Sequence, residues 1–402
     1  MNLKEVFSPL KLRNYRLWFF GQMFSLVGTW MQAIAQNWLI YTLTNSARIL
    51  GLLSLCTFVS FVPANLIGGS LADRYPKRTI IIITQTIMIF PPLGITLLLW
   101  LNAIRPWHVI LLATIAEALQ GLTMPVIQSF IIELTGREEL PKAIPLNSMM
   151  FNIARMIGPA LSGVLIAKYG SAVAFLLNAI SFLVVIAALL MMRLPAQEAK
   201  KANVFSHMKE GFKYAQNERL IIIILSMLGV SSMFCLSSTT LMPVFARDIF
   251  KSGSKGYGFI MSMLSTGAIL GGITISLLAA RFNRGKLIIS GGLLYPTLLI
   301  FFALTKFYSL ALLFIFFAGF FYVAQFTMMN TTVQLEVKDD LRGRVMSLYT
   351  LIFNSAMRLG GFIAGFLAQS IGAPLTVILM AFVAISYIIL ICELAPNLKR
   401  LP

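Results

Sequence analysis

The sequence predicts an all-α membrane protein in which twelve transmembrane helices form two six-helix pseudo-repeats. Three observations lead there. The 402 residues are 58% hydrophobic and only 11% charged, with a mean hydropathy of +0.85. So few charges cannot cover a water-facing surface. Divided at charges and turn residues, the chain falls into about twelve apolar runs, each near the ~20 residues a bilayer core requires. Charge placement is the third. With the N-terminus inside, seven of the 32 Lys and Arg fall outside (Arg48, Arg105, Lys168, Arg247, Lys251, Lys255, Lys306) and two within spans (Arg155, Arg358), which leaves 23 on cytoplasmic segments. The net charge of +18 therefore reads as positive-inside topology and lipid contact rather than DNA binding.

Residues 1–16 form a short basic arm, placed on the inner leaflet through Phe7, Leu10 and Leu12, and too polar for a cleavable signal. Span 1, about Leu17–Tyr41, carries Gln22, Ser25, Thr29, Gln32 and Gln36 at steps of three and four, one stripe of a helix. Such a stripe faces either neighbouring helices or a watery cavity. Span 2, about Ile49–Leu71, runs into Gly69-Ser70-Leu71-Ala72-Asp73-Arg74 and the basic cluster Lys77-Arg78. Span 3, about Thr79–Leu101, is apolar scaffold that Pro91-Pro92 must kink. Span 4, about Trp107–Ile132, places Glu117, Gln120, Gly121, Met124 and Gln128 on one face. A charged loop, Arg137-Glu138-Glu139-Leu140, leads to span 5, about Ile144–Ala167, with Asn152, Arg155 and Gly158-Pro159; span 6 follows, about Ser171–Met192.

The expected division is a six-helix bundle over 1–192, a cytoplasmic linker over 193–219 and a second six-helix bundle over 220–402. In the linker, Val204, Phe205, Met208, Phe212 and Ala215 fall at helical spacing, the pattern of an amphipathic surface helix. Span 7, about Leu220–Phe245, has a hydroxyl-rich outer half ending at Arg247-Asp248. Spans 8 to 10 follow, with Gln325, Asn330 and Gln334 in span 10. Span 11, about Val345–Ala368, carries Asn354 and Arg358, and span 12 is about Leu375–Glu393.

The two bundles repeat one another. Phe151-Asn152-Ile153-Ala154 matches Phe353-Asn354-Ser355-Ala356, Gly163 matches Gly365 and Gly170 matches Gly372, always 202 positions apart. Each Arg follows its Asn by three or four residues and so shares its face. The loop between spans 8 and 9 echoes that between spans 2 and 3, with Ala280 in the place of the acid. A parallel six-span repeat puts a substrate site at the midplane.

The ordered Gly69-x-Leu71-Ala72-Asp73-Arg74 string resembles the loop 2–3 signature of the major facilitator superfamily, with Pro76 where that pattern has Gly. Arg137-Glu138-Glu139-Leu140-Pro141, Phe151-Asn152-Ile153-Ala154-Arg155-Met156-Ile157-Gly158-Pro159 and Leu341-Arg342-Gly343-Arg344-Val345 resemble its transmembrane secretion effector branch, the branch of enterobactin exporters and macrolide efflux proteins. The resemblance covers essentially the whole chain. It implies the major facilitator fold, alternating access and export of a small organic molecule by proton antiport. Gly69, Asp73, Arg74, Gly158, Pro159 and Gly163 fall on its gating motifs. Pro145, Ala154 and Ser162 stand where the span 5 antiporter motif has glycine, and Glu117 stands where the wider superfamily has Arg.

Glu117 is the acid placed near mid-membrane, where a charge costs roughly 2.5–3.5 kcal/mol on insertion scales. Three readings stay open: the coupling proton site, a permanent ion pair with Arg155, and a substrate contact. Arg155 and Arg358 suit an anionic substrate or serve backbone carbonyls. Gln22, Gln32, Gln36, Gln120, Gln325, Asn152 and Asn354 suit a polar ligand, and Trp30 its apolar part. Two histidines and three separated cysteines (Cys56, Cys235, Cys392) give no metal or disulfide framework. No phosphate-cradling G-x-x-x-x-G-K-[ST], G-x-S-x-G or H-E-x-x-H occurs, which disfavours a primary pump or an enzyme.

The expectation is thus an exporter of an amphipathic small molecule, siderophore-like or drug-like. It needs no cofactor beyond the proton gradient, and sits in the bacterial inner membrane with both termini cytoplasmic. Its partners are the small-molecule substrate and membrane lipids, with no nucleic acid; a monomer is expected, with hand-over to an outer-membrane exit system as one continuation. An importer or a lipid or lysolipid flippase of the same fold, and a non-transporting membrane partner protein, remain alternatives.

Overall fold

A computed structural model describes residues 7–194, 214, 216–278, 283–396 and 398. The linker's amphipathic stretch and the Ala280-Arg281 pair lie outside the described residues. No strand occurs among those described. The helices are α1 (Arg13–Thr44), α2 (Ala47–Arg74), α3 (Lys77–Met88), α4 (Phe90–Trp100), α5 (Pro106–Tyr169), α6 (Ser171–Leu190), α7 (Arg219–Phe234), α8 (Gly253–Leu278), α9 (Arg284–Leu304), α10 (Tyr308–Glu336), α11 (Asp339–Ile371) and α12 (Ala373–Leu394).

Ten segments among the described residues are long and apolar enough to cross a bilayer. One of them, α5, has 64 residues and breaks at Gly136, so it supplies two crossings. The 32 residues of α1 reach about 48 Å at 1.5 Å per residue and supply a further one; its glutamines lower its hydropathy without shortening it. Twelve crossings result, as the sequence predicts.

Three local features differ from the expectation or sharpen it. The charged stretch after span 4 is not a loop. Helix continues through Arg137–Leu140, and within α5 only Gly136 (φ 68°, ψ 175°) leaves helical geometry. Glycine reaches that conformation at no steric cost, while Glu139 and Lys142, three residues apart, form an ion pair at 2.9 Å that favours helix just beyond it. Span 3 breaks between α3 and α4 at Ile89, because Pro91 and Pro92 cannot donate back to the preceding turn.

Span 7 is not one α-helix. After α7 the chain tightens into a 3₁₀ helix (Leu236–Leu241) and ends in a π-helical turn (Phe245–Ile249). Hydroxyls there bond to nearby carbonyls, Ser237 to Met233 O at 2.5 Å and Thr239 to Leu236 O at 2.8 Å. These bonds compete with the regular ladder.

The chain forms two compact units, Met1–Thr44 with Val59–Val204, and Asn45–Phe58 with Phe205–Pro402; α2 contributes to both. In the first unit Tyr15, Trp18 and Phe19 of α1 join Ile81 of α3, Phe130, Leu146 and Met150 of α5 and Val185 of α6 in one buried cluster. Trp18 meets Phe130 edge-on at 5.4 Å. The arm is tied to this end. A 3₁₀ turn (Ser8–Lys11) brings Ser8 to Glu139 at 2.5 Å, and Asn14 bonds both backbone groups of Arg193. Phe7 and Leu12 remain exposed while Leu10 packs on the cluster.

The sequence repeat is also a repeat of backbone and bonding. Gly170 and Gly372 both end their helices at positive φ, 81° and 83°. Asn152 Nδ2 donates to Ser148 O at 2.8 Å and Asn354 Nδ2 to Thr350 O at 2.9 Å, the same bond in each unit.

Candidate functional site: an uncharged cavity in the first unit

Four stretches of helix in the first unit turn one face each toward a shared space, which Phe182 of α6 also lines. From α1 come Trp18, Gln22, Ser25, Leu26 and Thr29. From the first arm of α5 come Gln120, Thr123, Met124, Ile127, Gln128 and Ile131. The second arm, beyond Gly136, gives Leu140, Ile144, Asn147, Ser148, Phe151 and Asn152, and α3 gives Gln85 and Met88. The steps of three and four within each set are those of a single helical stripe. They enclose a cavity of about 610 Å³, within the range of small-molecule sites. Among the described residues, none of the side chains lining it is charged.

Buried polar atoms are normally paired, yet four side chains on this cavity keep a buried atom with no protein partner. These atoms are the indole Nε1 of Trp18, Oε1 of Gln22, Oε1 of Gln85 and Oδ1 of Asn147. The amide nitrogen of Asn147 is engaged, donating to Ala143 O at 3.0 Å. These atoms are buried behind the Met, Ile, Leu and Phe walls, and the amides and hydroxyls of the same lining supply the cavity's polar surface.

The sequence-derived candidates separate into groups. Gln22, Gln120 and Asn152 line the cavity. Gln32 belongs to the same stripe of α1 but is buried against α6, where its Oε1 accepts from Asn178 Nδ2 at 2.5 Å. Gln36 is half-buried and lies two turns past Thr29, outside the lining. Trp30 packs beside the cavity rather than on it. Its ring meets Phe151 edge-on at 5.7 Å and carries the Arg155 guanidinium 5.7 Å from its centroid.

Glu117 stands three residues before Gln120, and Arg155 three after Asn152. Each is therefore about 4.5 Å along its own axis beyond the cavity, on the side away from Gly136. Both are half-buried and neither lacks an interaction partner. Gly158, Pro159 and Gly163 are buried in the second arm of α5. A β-carbon on Gly158 would lie 2.6 Å from Trp30 Cβ, so this glycine sets how closely α1 and α5 pack. Ser162 reinforces the contact by donating to Met31 O at 2.8 Å. Gly69, Asp73 and Arg74 end α2, with Asp73 and Arg74 exposed.

The second unit holds the remaining candidates. Gln325 of α10 is fully buried and donates Nε2 to Ser231 of α7 at 3.0 Å, while its Oε1 is unpaired. Arg358 of α11 donates to the backbone and side-chain oxygens of Asn354, both at 3.3 Å.

Trp18, Gln85, Thr123, Asn147 and Ser148 line the cavity without having been singled out in sequence. Trp18 precedes Gln22 by four residues and so extends the stripe by one turn. Gln85 is an isolated amide in an apolar run, which reads locally as scaffold; α3 is not scaffold alone, because that amide reaches the cavity. A second acid, Glu133, is also partly buried on α5, 3.7 Å from Lys77.

The comparisons agree with this architecture. The family model of transmembrane secretion effectors matches residues 4–400. The staphyloferrin A transporter of Staphylococcus aureus (strain NCTC 8325 / PS 47) is 26% identical over 339 positions, covering 82% of this chain and 84% of its own. Macrolide efflux protein A of Streptococcus pyogenes is 22% identical over 418 aligned positions, 99% of each chain. The enterobactin exporter EntS of Shigella boydii serotype 4 (strain Sb227) is 23% identical over 341 positions, 84% of this chain and 80% of its own. Among solved structures, a bacterial homologue of the human lysosomal transporter Spinster, inward-facing and unoccupied, superposes with a TM-score of 0.78 at 14% identity, covering 96% of this chain and 98% of its own. The nucleoside transporter NupG gives 0.74 at 17% identity, covering 96% and 98%. With its twelve crossings and matched length, the chain belongs to the transmembrane secretion effector family: it is a multi-pass membrane transporter of the major facilitator type and not an enzyme.

Proposed function

We propose that this transporter exports an amphipathic small molecule, siderophore-like or drug-like, from the cytoplasm across the bacterial inner membrane, in exchange for protons and by alternating access. The observation that carries the reading is the first unit's cavity. Amides and hydroxyls stand among apolar walls there, a surface that complements a molecule with both characters. The relatives named as exporters or efflux proteins support the outward direction. Both termini and the Lys- and Arg-rich segments lie on the cytoplasmic side in this reading, and the protein works as a monomer.

Glu117 is the proton-coupling residue of the proposal. It sits within a membrane-crossing helix, one turn from the cavity and at the level of Arg155 on the other arm. Intramembrane acids at such places serve proton relays. Arg155, held over Trp30, stays protonated throughout and favours the ionised carboxylate, while Glu117 takes its proton from water on one side and releases it to water on the other. Rearrangement at the α1–α5 contact, where Gly158 lets the helices approach, couples that exchange to cavity access.

The test uses inside-out vesicles carrying the purified protein under an imposed proton gradient. Siderophores and macrolides are offered to wild type and Glu117→Gln. Accumulation that needs the gradient and is lost in the variant supports the proposal. Accumulation unchanged in Glu117→Gln removes the proton role, and uptake only in right-side-out vesicles replaces export with import.

A further inference from the structure

The last turn of α6 is gripped from two sides. Asn14 of α1 bonds both backbone groups of Arg193, and Arg78 of α3 donates Nη2 to Leu190 O at 3.1 Å. These bonds bring Arg13, Arg16, Arg78 and Arg193 to one corner of the first unit. Arg13, Arg16 and Arg193 are exposed. None of the four is in an ion pair among the described residues, and α1, α3, α4 and α6 contain no Asp or Glu. Acids of the neighbouring helices are engaged elsewhere, Glu133 with Lys77 and Glu139 with Ser8 and Lys142, while Asp73 is followed directly by Arg74.

The same helices turn apolar side chains outward beside the arginines. Phe20 of α1, Ile83 of α3, and Leu190 and Met191 at the end of α6 are each more than half exposed. Phe20 follows Arg13 by seven residues and Arg16 by four, so it continues their stripe of α1 toward the bilayer centre. Positive charge at the end of an uncovered apolar strip complements a ligand that is anionic at one end and apolar along its length.

The second unit makes a similar cap in different surroundings. Arg219 donates Nη2 to Leu394 O at the end of α12 at 3.1 Å. Glu218 stands next to that arginine and Glu393 next to that leucine, both exposed. Capping the last helix of a bundle therefore does not require a surplus of arginines. The surplus belongs to the first unit.

From these features we propose that the corner of α1, α3 and α6 binds an anionic glycerophospholipid of the inner leaflet. Arg13, Arg16 and Arg193 hold its phosphodiester, since planar guanidinium forks match phosphate oxygens. An acyl chain lies over Phe20, Leu190 and Met191, and Arg78, tied to Leu190 O, adds its charge. Charge complementarity selects this occupant. A zwitterionic lipid offers the chains without the net charge, and free phosphate offers the charge without the chains. The site is separate from the transport cavity and rests only on the cytoplasmic placement of these helix ends.

The experiment measures lipid retention by native mass spectrometry. Full-length protein is held in neutral detergent micelles doped with phosphatidylglycerol or phosphatidylcholine, without gradient or substrate. A basic residue near an anionic lipid surface contributes about 1 kcal/mol, close to fivefold in affinity. Phosphatidylglycerol should thus be retained at a mole fraction at least roughly tenfold lower than phosphatidylcholine. Replacing Arg13, Arg16 and Arg193 together by Gln should weaken that retention on the order of a hundredfold. Lys251→Gln, Lys255→Gln and Lys306→Gln together remove three exposed charges elsewhere and should leave it unchanged.

Equal retention of the two lipids overturns the proposal. So does phosphatidylglycerol retention that survives in the arginine variant, or that falls as far in the lysine variant. Complete displacement by inorganic phosphate would mean that the headgroup alone is recognised, and overturns the lipid assignment. The two-lipid comparison needs only wild type, so it stands if a variant fails to fold. Failure of export in the vesicle assay leaves this result untouched, and loss of the lipid preference leaves the export reading standing.

Discussion

The Gln32–Asn178 bond decides how far the polar stripe of α1 belongs to the site. Gln32 is 8% and Asn178 1% exposed; the amide of Asn178 donates to Gln32 Oε1 and its Oδ1 accepts from Ser181 at 3.0 Å. Replacing Gln32 by Met keeps volume but leaves the Asn178 N–H buried and unpaired. That loss costs roughly 1–3 kcal/mol by the general penalty for an orphaned polar group. Interhelical bonds within membranes measure lower, about 0.6 on average and up to about 1.7 kcal/mol, because the unfolded chain in the membrane finds other partners.

The expected coupling in a double-mutant cycle of Gln32→Met with Asn178→Leu is therefore about 0.6–1.7 kcal/mol. Asn178→Leu leaves Gln32 Oε1 unpaired while Ser181 keeps its shorter bond to Asn178 O at 2.7 Å, so the two single changes should cost similar amounts. Equilibrium unfolding in mixed micelles reads the stability, and calorimetry on the same samples reads ligand affinity. The reasoning predicts lost stability with unchanged affinity for Gln32→Met. Strict additivity, or an affinity loss equal to that of Gln22→Met at full stability, would refute it.

Other predictions follow from the same geometry. Gly158→Leu places a β-carbon 2.6 Å from Trp30 Cβ, well inside the 3.5–4.0 Å of an ordinary carbon contact. It should cost about 1–3 kcal/mol by overpacking, measured by unfolding in mixed micelles, and should slow transport more than binding. Gly170→Ala and Gly372→Ala should each cost about 1–3 kcal/mol, because φ of 81° and 83° with extended ψ is a region nearly reserved for glycine; the repeat predicts similar values for both.

Glu139 tests the arm. Its hydrogen bond from Ser8, and then that from Lys142, hold its carboxyl below the ordinary value of 4.5. A depressed folded pKa means the contact stabilises fully above 4.5 and is lost as pH falls through the lower value. Protease access to the arm should rise over that acid range in wild type, and already be high near neutrality in Glu139→Gln.

The fold was legible because a bilayer imposes long apolar runs and alternating charge, and because the 202-residue repeat carries real conformational demands. Gly170 and Gly372 share an unusual φ, and Asn152 and Asn354 share a backbone bond. The site was legible only in part. Periodicity groups Gln22, Ser25, Thr29, Gln32 and Gln36 on one stripe, but a stripe does not say which neighbour meets it. The lower turns face the cavity, whereas the turn of Gln32 meets Asn178, a residue 146 positions away. Gln85 was invisible for the opposite reason: a single amide has no period. The polarity of the charged segment after Gly136 predicts a loop, although Glu139 and Lys142 favour helix once the glycine has redirected the chain.

The most direct test compares two glutamines of one helix. Gradient-driven accumulation in inside-out vesicles would be measured for Gln22→Met and Gln32→Met, each normalised to folded protein, with the siderophore and macrolide panel. The account predicts that Gln22→Met loses most of the accumulation while Gln32→Met retains it. Retention in Gln22→Met with loss in Gln32→Met would contradict the assignment of the cavity as the transport site.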